Sequence, residues 1–269
     1  MSNGEIAAGL PFPPSATQPT WSKRKAATYL DAPLAPDVLL ETELMLLALA
    51  AGINDATTFP DYRVFASNQT GNTALLAIGS FGLGGNVVDL RDIGFSLGLF
   101  ILGGTLLGQL GHRVGRTKRA WLLCTNALQT LFVLIAAALR HWVPTGIDDQ
   151  SRFAVISLLA FASGAQVAMA RTVDVPEVTT AMVTSAYIDF VTDRGLLTRQ
   201  NRPRNRRGVF VLCLLLGSFI GAAAYREVSP AFALLLAGLV KFGVCVSLLF
   251  NRAKMREVSA GSIELQGIE

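Results

Sequence analysis

Long apolar runs are the feature that most limits how this chain can fold. Several such runs approach twenty residues, and a bilayer core about 30 Å thick requires about 20 mostly apolar residues for each spanning helix. Of the 269 residues only 16% are charged, whereas soluble domains average about 25%. Mean hydropathy is +0.46. These values predict an all-α integral membrane protein, a helical bundle surrounded by lipid.

Six of the apolar runs are long enough to be predicted as transmembrane helices. They cover residues 38–59, 93–111, 120–139, 153–170, 208–224 and 229–250. Two further runs, at 70–83 and 178–190, are too short to span and are predicted to be re-entrant helices. Pro60 is expected to end the first run, because proline interrupts the hydrogen bonds of a helix.

Clusters of arginine and lysine test this topology. They lie at residues 23–25, 113–119, 194–207 and 252–256. Six spans place all four clusters on one side of the membrane, whereas eight spans place the second cluster opposite the others. Because basic loops stay in the cytosol, the six-span arrangement is favoured, with both termini cytosolic and the plasma membrane as the expected location. The same distribution indicates orientation signals and no nucleic-acid partner.

An internal repeat accompanies these spans, at an offset near 113 residues. The matches are Gly52-x-Asn54 with Gly164-x-Gln166 at 112, Val64–Gly71 with Val178–Ser185 at 114, and Gly104-x-x-x-Gly108 with Gly217-x-x-x-Gly221 at 113. Three spans in each copy give the copies opposite orientations. The sequence therefore predicts two inverted three-helix repeats, each with a short re-entrant helix, an arrangement common in secondary transporters.

The chain is predicted to form one membrane domain between two tails. The membrane domain covers 38–252, with repeat one at 38–140 and repeat two at 152–251. Residues 1–37 contain several prolines, serines and threonines and are expected to be a disordered cytosolic tail. Residues 253–269 are expected to be a second cytosolic tail.

Polar residues among the apolar runs mark the candidate site. Asp55 lies inside the first run, where a carboxylate is costly and indicates coupling to protons or cations; an interfacial or capping role is the alternative. The other residues predicted to bind solute or ion are Asn54, Asn68, Gln69, Thr70, Asn72, Gln166, Thr180 and Thr184. Alternatively, these amides and hydroxyls only cap and pack the short helices, with Asn68, Thr70 and Thr179 or Thr180 as candidate N-caps.

Lys241 is the other charge placed inside a predicted span, and an ion pair with Asp189 or Asp55 is expected. The cysteines have no paired spacing, so no redox or metal role is expected for them. We recognise no catalytic motif, and we expect no enzyme activity, no cofactor and no metal. The expected partners are the lipid bilayer and a small-molecule solute.

Three stretches carry a resemblance to a known family: Gly52-Ile53-Asn54-Asp55-Ala56, the run from Phe65 to Asn72, and Thr179-Thr180-Ala181-Met182-Val183-Thr184. With these motifs the chain resembles, over about residues 40–252, the YoaK-like family of bacterial and fungal multi-pass membrane proteins, which carry a domain of unknown function. The polar N-terminal tail and the arginine-rich linker resemble those of fungal members. Ser185 departs from the family pattern, in which glycine often follows the threonine.

The resemblance implies a multi-pass membrane protein and, loosely, a permease, without a substrate. Together with the repeat and the intramembrane polar residues, it leads to the hypothesis of a secondary transporter for a small polar or anionic solute, working by alternating access. The alternative is a non-transporting membrane scaffold or assembly factor, in which the polar residues serve helix packing alone.

Overall fold

A computed structural model describes residues 28–254 except 84, 86–87, 144–148 and 174. The named helices are α1 (Val38–Tyr62), α2 (Gln69–Ser80), α3 (Leu90–Val114), α4 (Arg119–Trp142), α5 (Asp149–Ala170), α6 (Thr184–Val191), α7 (Arg202–Glu227) and α8 (Pro230–Ser247). No strand occurs in the described ranges, where the β-pairing consists of two isolated bridges at residues 33 and 34. Of the predicted tails, 1–37 and 253–269, residues 1–27 and 255–269 lie outside the described residues.

Five of these helices, α3, α4, α5, α7 and α8, are long and apolar enough to cross a membrane. At this level the prediction of a helical membrane bundle is confirmed. The remaining long helix, α1, has 25 residues but is not among the five. Its four carboxylates, Glu41, Glu43, Asp55 and Asp61, distinguish it from them.

Five long helices, α1, α3, α4, α5 and α7, extend beyond the apolar runs that predicted them, whereas α8 at Pro230–Ser247 is shorter than the run 229–250. α7 begins at Arg202, inside the expected basic linker. Pro60 does not end α1, which continues to Tyr62 and closes with Arg63 in the left-handed conformation at φ 57°. Proline removes one backbone hydrogen-bond donor. Because Pro60 lies two residues before the end of α1, the loss affects only the last turn of the helix. Apolar runs alone underestimate helix length, because charged side chains continue a helix into water.

α1 lies at the centre of the bundle, packed against α7, α8 and α5. Glycines make its crossing with α7 close. A Cβ added to Gly217 would lie 2.8 Å from the carbonyl carbon of Leu49, and one added to Gly52 would lie 2.8 Å from the backbone nitrogen of Ser218. Small residues of this kind let helix backbones approach closely in a membrane, and Gly52 and Gly217 do so at this crossing.

α3 and α5 cross in the same way. A Cβ on Gly164 would lie 2.8 Å from the carbonyl carbon of Phe100, and one on Gly103 would lie 3.0 Å from that of Phe161. The repeat alignment matched Gly104 to the close-packed Gly217. A Cβ on Gly104 would lie 3.5 Å from the oxygen of Gly164, which is an ordinary contact distance. The close contact on α3 therefore belongs to the preceding residue.

The other helices complete a bundle built from pairs. α4 packs against α8, α5 packs against α4, and α8 packs against α1. The two short helices lie at the periphery, α2 on α3 and α6 on α7. Neither short helix buries more than one residue, Asn72 in α2 and Ala186 in α6.

One end of the bundle, here called the basic end, joins three distant parts of the chain. Leu34 N–H donates to the oxygen of Thr117 at 3.0 Å, and Ala35 N–H donates to the oxygen of Arg252 at 3.0 Å. Arg119 is buried beneath this junction, with its guanidinium carbon 3.6 Å from the ring centroid of Tyr29. The segment before α1, the α3–α4 connection and the segment after α8 therefore meet at the basic end.

The start of α7 also lies at the basic end. Arg202 and Arg206 near its N-terminus both pair with Glu41 in the first turn of α1, and the Arg206 contact is 2.6 Å long. Arg206 also reaches Glu177 at 3.2 Å. The arginine-rich linker is thereby attached to the same end as the α3–α4 connection.

Different ion pairs close the opposite end. Arg140 near the end of α4 lies 2.7 Å from Asp61 near the end of α1, and the hydroxyl of Tyr225 near the end of α7 donates to Asp61 at 2.7 Å. Arg152 near the start of α5 lies 3.1 Å from Asp89, the N-cap of α3. Thus α1, α4 and α7 end where α3 and α5 begin.

Candidate functional site

A buried lysine occupies the middle of the bundle. Lys241 on α8 donates through Nζ to Oε1 of Gln129 on α4 at 3.0 Å and to Oε1 of Gln166 on α5. All three side chains are at most 2% exposed. Among the described residues no carboxylate pairs with the amine. Two neutral amide oxygens are thus the recorded partners of a basic group inside a membrane helix. We name Lys241, Gln129 and Gln166 the lysine–glutamine centre.

Further amides connect the lysine–glutamine centre to the neighbouring helices. Gln166 Nε2 donates to the carbonyl oxygen of Leu47 on α1 at 3.1 Å, and Asn126 Nδ2 donates to the carbonyl oxygen of Lys241 at 3.0 Å. Asn54 lies two turns beyond Leu47 on α1 and is buried, and no residue in the described part of the chain bonds its Oδ1. A buried acceptor without a partner is costly, which makes Asn54 a candidate contact for a bound molecule.

The separations of these polar residues along the chain agree with the predicted repeat offset of about 113 residues. Gln129 and Lys241 are 112 residues apart, and Asn54 and Gln166 are also 112 residues apart. The second pair is the Gly-x-Asn and Gly-x-Gln match of the sequence repeat. Polar residues at corresponding positions therefore project from α1, α4, α5 and α8.

The polar run before α2 forms a separate cluster. The side chain of Asn72 is bonded to both backbone groups of Phe65: Phe65 N–H donates to Oδ1 at 2.9 Å, and Nδ2 donates to the Phe65 oxygen at 2.8 Å. Nδ2 also donates to Oε1 of Gln69 at 2.8 Å and to Oγ of Ser96 on α3 at 3.0 Å. These amides hold the connection between α1 and α2 against α3.

Asp55 belongs to this second cluster. Its carboxylate accepts from the backbone N–H of Ser67 at 2.7 Å and from the Ser67 hydroxyl at 2.6 Å. Asn68 caps α2, accepting from the N–H of Gly71 at 3.2 Å. The cap on Asn68 agrees with its predicted position, while the exposed Thr70 has no side-chain hydrogen bond in the described structure.

The second polar segment is built differently from the first. The predicted short helix at 178–190 begins only at Thr184, and its N-cap is Val183, which makes no side-chain cap bond. Thr180 is therefore not a cap. It is buried, and no described residue bonds its hydroxyl. Its φ of 61° is uncommon for a β-branched residue. Thr184 is exposed at the start of α6.

The predicted ion pair between Lys241 and Asp189 is wrong. Asp189 on α6 is 57% exposed and lies 3.8 Å from Arg207, whereas Lys241 is buried among glutamines. Asp55, the other suggested partner, is bound to Ser67. The ion pair is predicted because a buried amine usually needs a carboxylate. Here the amide oxygens of Gln129 and Gln166 accept its hydrogen bonds instead.

The predicted site residues are thus divided among three places. Gln166 belongs to the lysine–glutamine centre, the residues from Asp55 to Asn72 surround the start of α2, and Thr180 and Thr184 lie near α6. Gln129 is a residue of the centre that is not among the predicted site residues, although the sequence pattern around it indicates a polar helix face. Thr125, Asn126, Gln129 and Thr130 form a polar stripe with helical spacing on an otherwise apolar helix. Within the described ranges, no three His, Cys, Asp or Glu side chains are grouped closely enough to hold a metal ion.

Several long apolar helices packed around a buried polar centre define a multi-pass integral membrane protein. The sequence matches the family described as "Protein of unknown function (DUF1275)" over residues 44–247, and the chain belongs to that family. The resemblance to YoaK-like membrane proteins, which this family includes, is thereby confirmed. No curated protein and no solved structure matches the sequence.

Proposed function

We propose that this protein is a secondary transporter for a small polar or anionic solute, with the solute bound at the lysine–glutamine centre. The observation that carries the proposal is the buried Lys241 amine, held by Gln129 and Gln166 without a recorded carboxylate. An ionisable group inside a membrane helix is expensive and marks substrate or proton pathways. A cation lacking a buried counter-charge favours a solute with negative charge or strong acceptor oxygens.

Six spans are the topology we propose, with α1 as the sixth. At about 1.5 Å per residue, its 25 residues extend roughly 37 Å, enough to cross the hydrocarbon core. Its carboxylates have partners inside the protein: arginines of α7 for Glu41, Asn251 for one oxygen of Glu43, Ser67 for Asp55 and Arg140 for Asp61. Central packing thus removes the cost of exposing these charges to lipid.

The proposed inverted repeat is supported by the helix crossings. Gly52 of α1 packs on Leu214 of α7, and Gly164 of α5 packs on Phe100 of α3. The two glycines are 112 residues apart in the chain, and their two partners are 114 residues apart. The contacts of α1 with α7 and α8 correspond to those of α5 with α3 and α4. Likewise, α2 on α3 corresponds to α6 on α7.

Orientation follows from the basic end. The described arginines of three of the four basic clusters belong to segments that meet there, and basic loops face the cytosol. We infer cytosolic termini and a plasma-membrane location. With the natural cysteines replaced, a single cysteine at Pro203 should be labelled only from the cytosol and one at Val228 only from outside. Labelling of both from the same side would contradict the six-span topology.

Alternating access requires the lysine–glutamine centre to open. In the structure it is buried, which corresponds to an occluded state. Two cavities of about 270 and 450 Å³ at the basic end are both lined by Pro176 and Thr179. They flank the irregular segment that contains Thr180, and non-helical backbone at membrane depth is tolerated where it lines a watery path. We propose this segment as the cytosolic entrance.

The test is transport by purified protein in vesicles. Panels of inorganic anions, carboxylates and neutral polar solutes are first screened by thermal shift, and those that stabilise the protein are then measured for uptake. Lys241→Gln keeps a hydrogen-bonding group but removes the charge, so uptake should fall by at least tenfold. Lys254→Gln, an exposed change of the same type, should leave uptake unchanged. Normal uptake by folded Lys241→Gln protein would refute the proposed centre.

A scaffold or assembly role is the second candidate. It is favoured by the cluster around Asn72 and Asp55, whose hydrogen bonds are satisfied within the protein. In that case, no solute in the panels stabilises the protein, and no uptake exceeds that of empty vesicles. Saturable uptake dependent on Lys241 would decide against a purely structural role.

A further inference from the structure

An open groove at the basic end lies between the N-terminal parts of α1 and α7. Its volume is about 620 Å³. Large apolar side chains line one part and remain uncovered: Val38 is 69% exposed, Leu46 37% and Val209 46%. Arg199 and Arg202 line the other part. The groove therefore has an apolar part and a basic part. A surface that faces only water or only lipid would not need both.

The polar part of the groove has an excess of positive charge. Three arginines and one carboxylate line it, and that carboxylate, Glu41, already pairs with both Arg202 and Arg206. Arg206 also binds Glu177. Arg199 has no polar partner among the described residues, and the side chain of Arg202 is 58% exposed. Arg199 and the exposed face of Arg202 are thus accessible to an anion, although Arg202 also pairs with Glu41.

The first turn of α7 adds to this field. Asn201 and Asn205 line the groove beside the helix N-terminus, where the helix dipole favours negative charge. From Arg202 to Cys213, the deepest lining residue of α7, the helix advances roughly 16 Å at about 1.5 Å per residue. The groove therefore extends from the level of lipid headgroups into the hydrocarbon region.

The corresponding crossing at the opposite end does not share this charge. There, Arg152 of α5 faces Asp89 and Asp92 of α3, at 3.1 and 3.3 Å. Carboxylates outnumber arginine at that crossing, whereas arginines outnumber the carboxylate in the groove. The arginine excess of the groove is therefore not repeated at the corresponding crossing, and the groove lies at the end we propose to be cytosolic, where anionic lipids are concentrated.

We propose that the groove is a binding site for an acidic phospholipid. Its phosphate and headgroup contact Arg199 and Arg202, and one acyl chain lies along Val38, Leu46 and Val209. A small soluble anion uses only the arginines, and a neutral lipid uses only the apolar wall. An acidic phospholipid matches both parts, and the surrounding membrane supplies it.

The test is lipid retention by the purified full chain in detergent, measured by native mass spectrometry with phosphatidylserine, phosphatidylglycerol and phosphatidylcholine. Each arginine near an anionic surface contributes about 1 kcal/mol, so the double variant Arg199→Gln/Arg202→Gln should weaken acidic-lipid binding roughly thirtyfold. Phosphatidylcholine should bind no better to wild type than to this variant. The matched control is Arg113→Gln/Arg116→Gln, which removes two exposed charges from the same end outside the groove.

Two further arms decide the source of the ligand and guard against misfolding. Val209→Asp places a charge in the apolar wall and should reduce binding of the lipid, but not of soluble glycerophosphate. Arg199→Lys/Arg202→Lys keeps the charge and should retain lipid. Equal losses in the groove and control variants, equal binding of phosphatidylcholine and acidic lipid, or glycerophosphate binding as tight as lipid would each overturn the proposal.

Discussion

Replacing Gly164 by alanine is expected to loosen the crossing of α3 and α5. The added Cβ would lie 2.8 Å from the carbonyl carbon of Phe100 and 3.0 Å from the backbone nitrogen of Gly104, whereas ordinary contact begins at 3.4 Å. The obstructing atoms belong to backbone, so no side chain can rotate away. The two helices must separate by about 0.6 Å or more to accept the methyl group, and packing along the crossing is lost.

The expected size follows from two opposing effects. Alanine is favoured over glycine in a helix by about 0.8–1 kcal/mol, and overpacking costs about 1–3 kcal/mol. Gly98→Ala on the same helix pair is the matched control, because a Cβ there meets nothing within 4 Å. Both variants gain the propensity term, so Gly164→Ala should be less stable than Gly98→Ala by about 1–3 kcal/mol. Gly52→Ala, at the equivalent crossing, should behave like Gly164→Ala.

Thermal unfolding in detergent, followed by fluorescence-detected size exclusion, measures the difference. For a chain of this size, about 1 kcal/mol corresponds to roughly 2–4 °C in Tm, so Gly164→Ala should melt roughly 2–12 °C below Gly98→Ala. Gly98→Ala itself should melt at or slightly above the wild-type temperature. Equal Tm values for the two variants would show that the helices are not held at glycine distance, and the proposed equivalence of the two crossings would lose its basis.

Three other changes give separate predictions. Asn72→Ala removes the partner of the Phe65 N–H and one hydrogen bond to the Phe65 carbonyl oxygen, which keeps the bond from the Ser96 hydroxyl, and should cost about 1–3 kcal/mol, seen as a lower Tm than in the wild type. Arg119→Met should release the segment before α1, so that limited proteolysis cuts near residue 30, whereas Lys118→Met, which removes an exposed ion pair worth about 0–1 kcal/mol, should not. Asp61→Asn should cost about 3–5 kcal/mol by removing the negative charge from the ion pair with Arg140, and Asp61→Asn/Arg140→Gln should recover part of that Tm loss.

The sequence predicts the positions of the long helices well, because each contains a local run of apolar residues. It places their ends less well. The first turns of α7 are rich in arginine, and the end of α1 contains Pro60, so hydropathy and proline rules both stop too early. Asn68 was predictable as a cap because capping depends on residues only three positions apart.

The site was less predictable because its contacts join residues far apart in the chain. Lys241 meets Gln129 and Gln166 only where α4, α5 and α8 come together, and no local pattern specifies that meeting. The predicted start of the second short helix is wrong for another reason. Residues 178–183 are apolar enough to predict a helix, but Thr180 adopts a left-handed conformation, so regular helix begins only at Thr184.

The central position of α1 has a consequence for biosynthesis. Its main neighbours, α7 and α8, are made after all the other named helices, and Glu41 meets Arg202 across 161 residues of chain. A helix with four carboxylates must therefore enter the membrane well before its partners exist. Dependence on an insertion factor that shelters α1 is the expected result, and the basic-end junction through Arg252 can close only after almost the entire chain has left the ribosome.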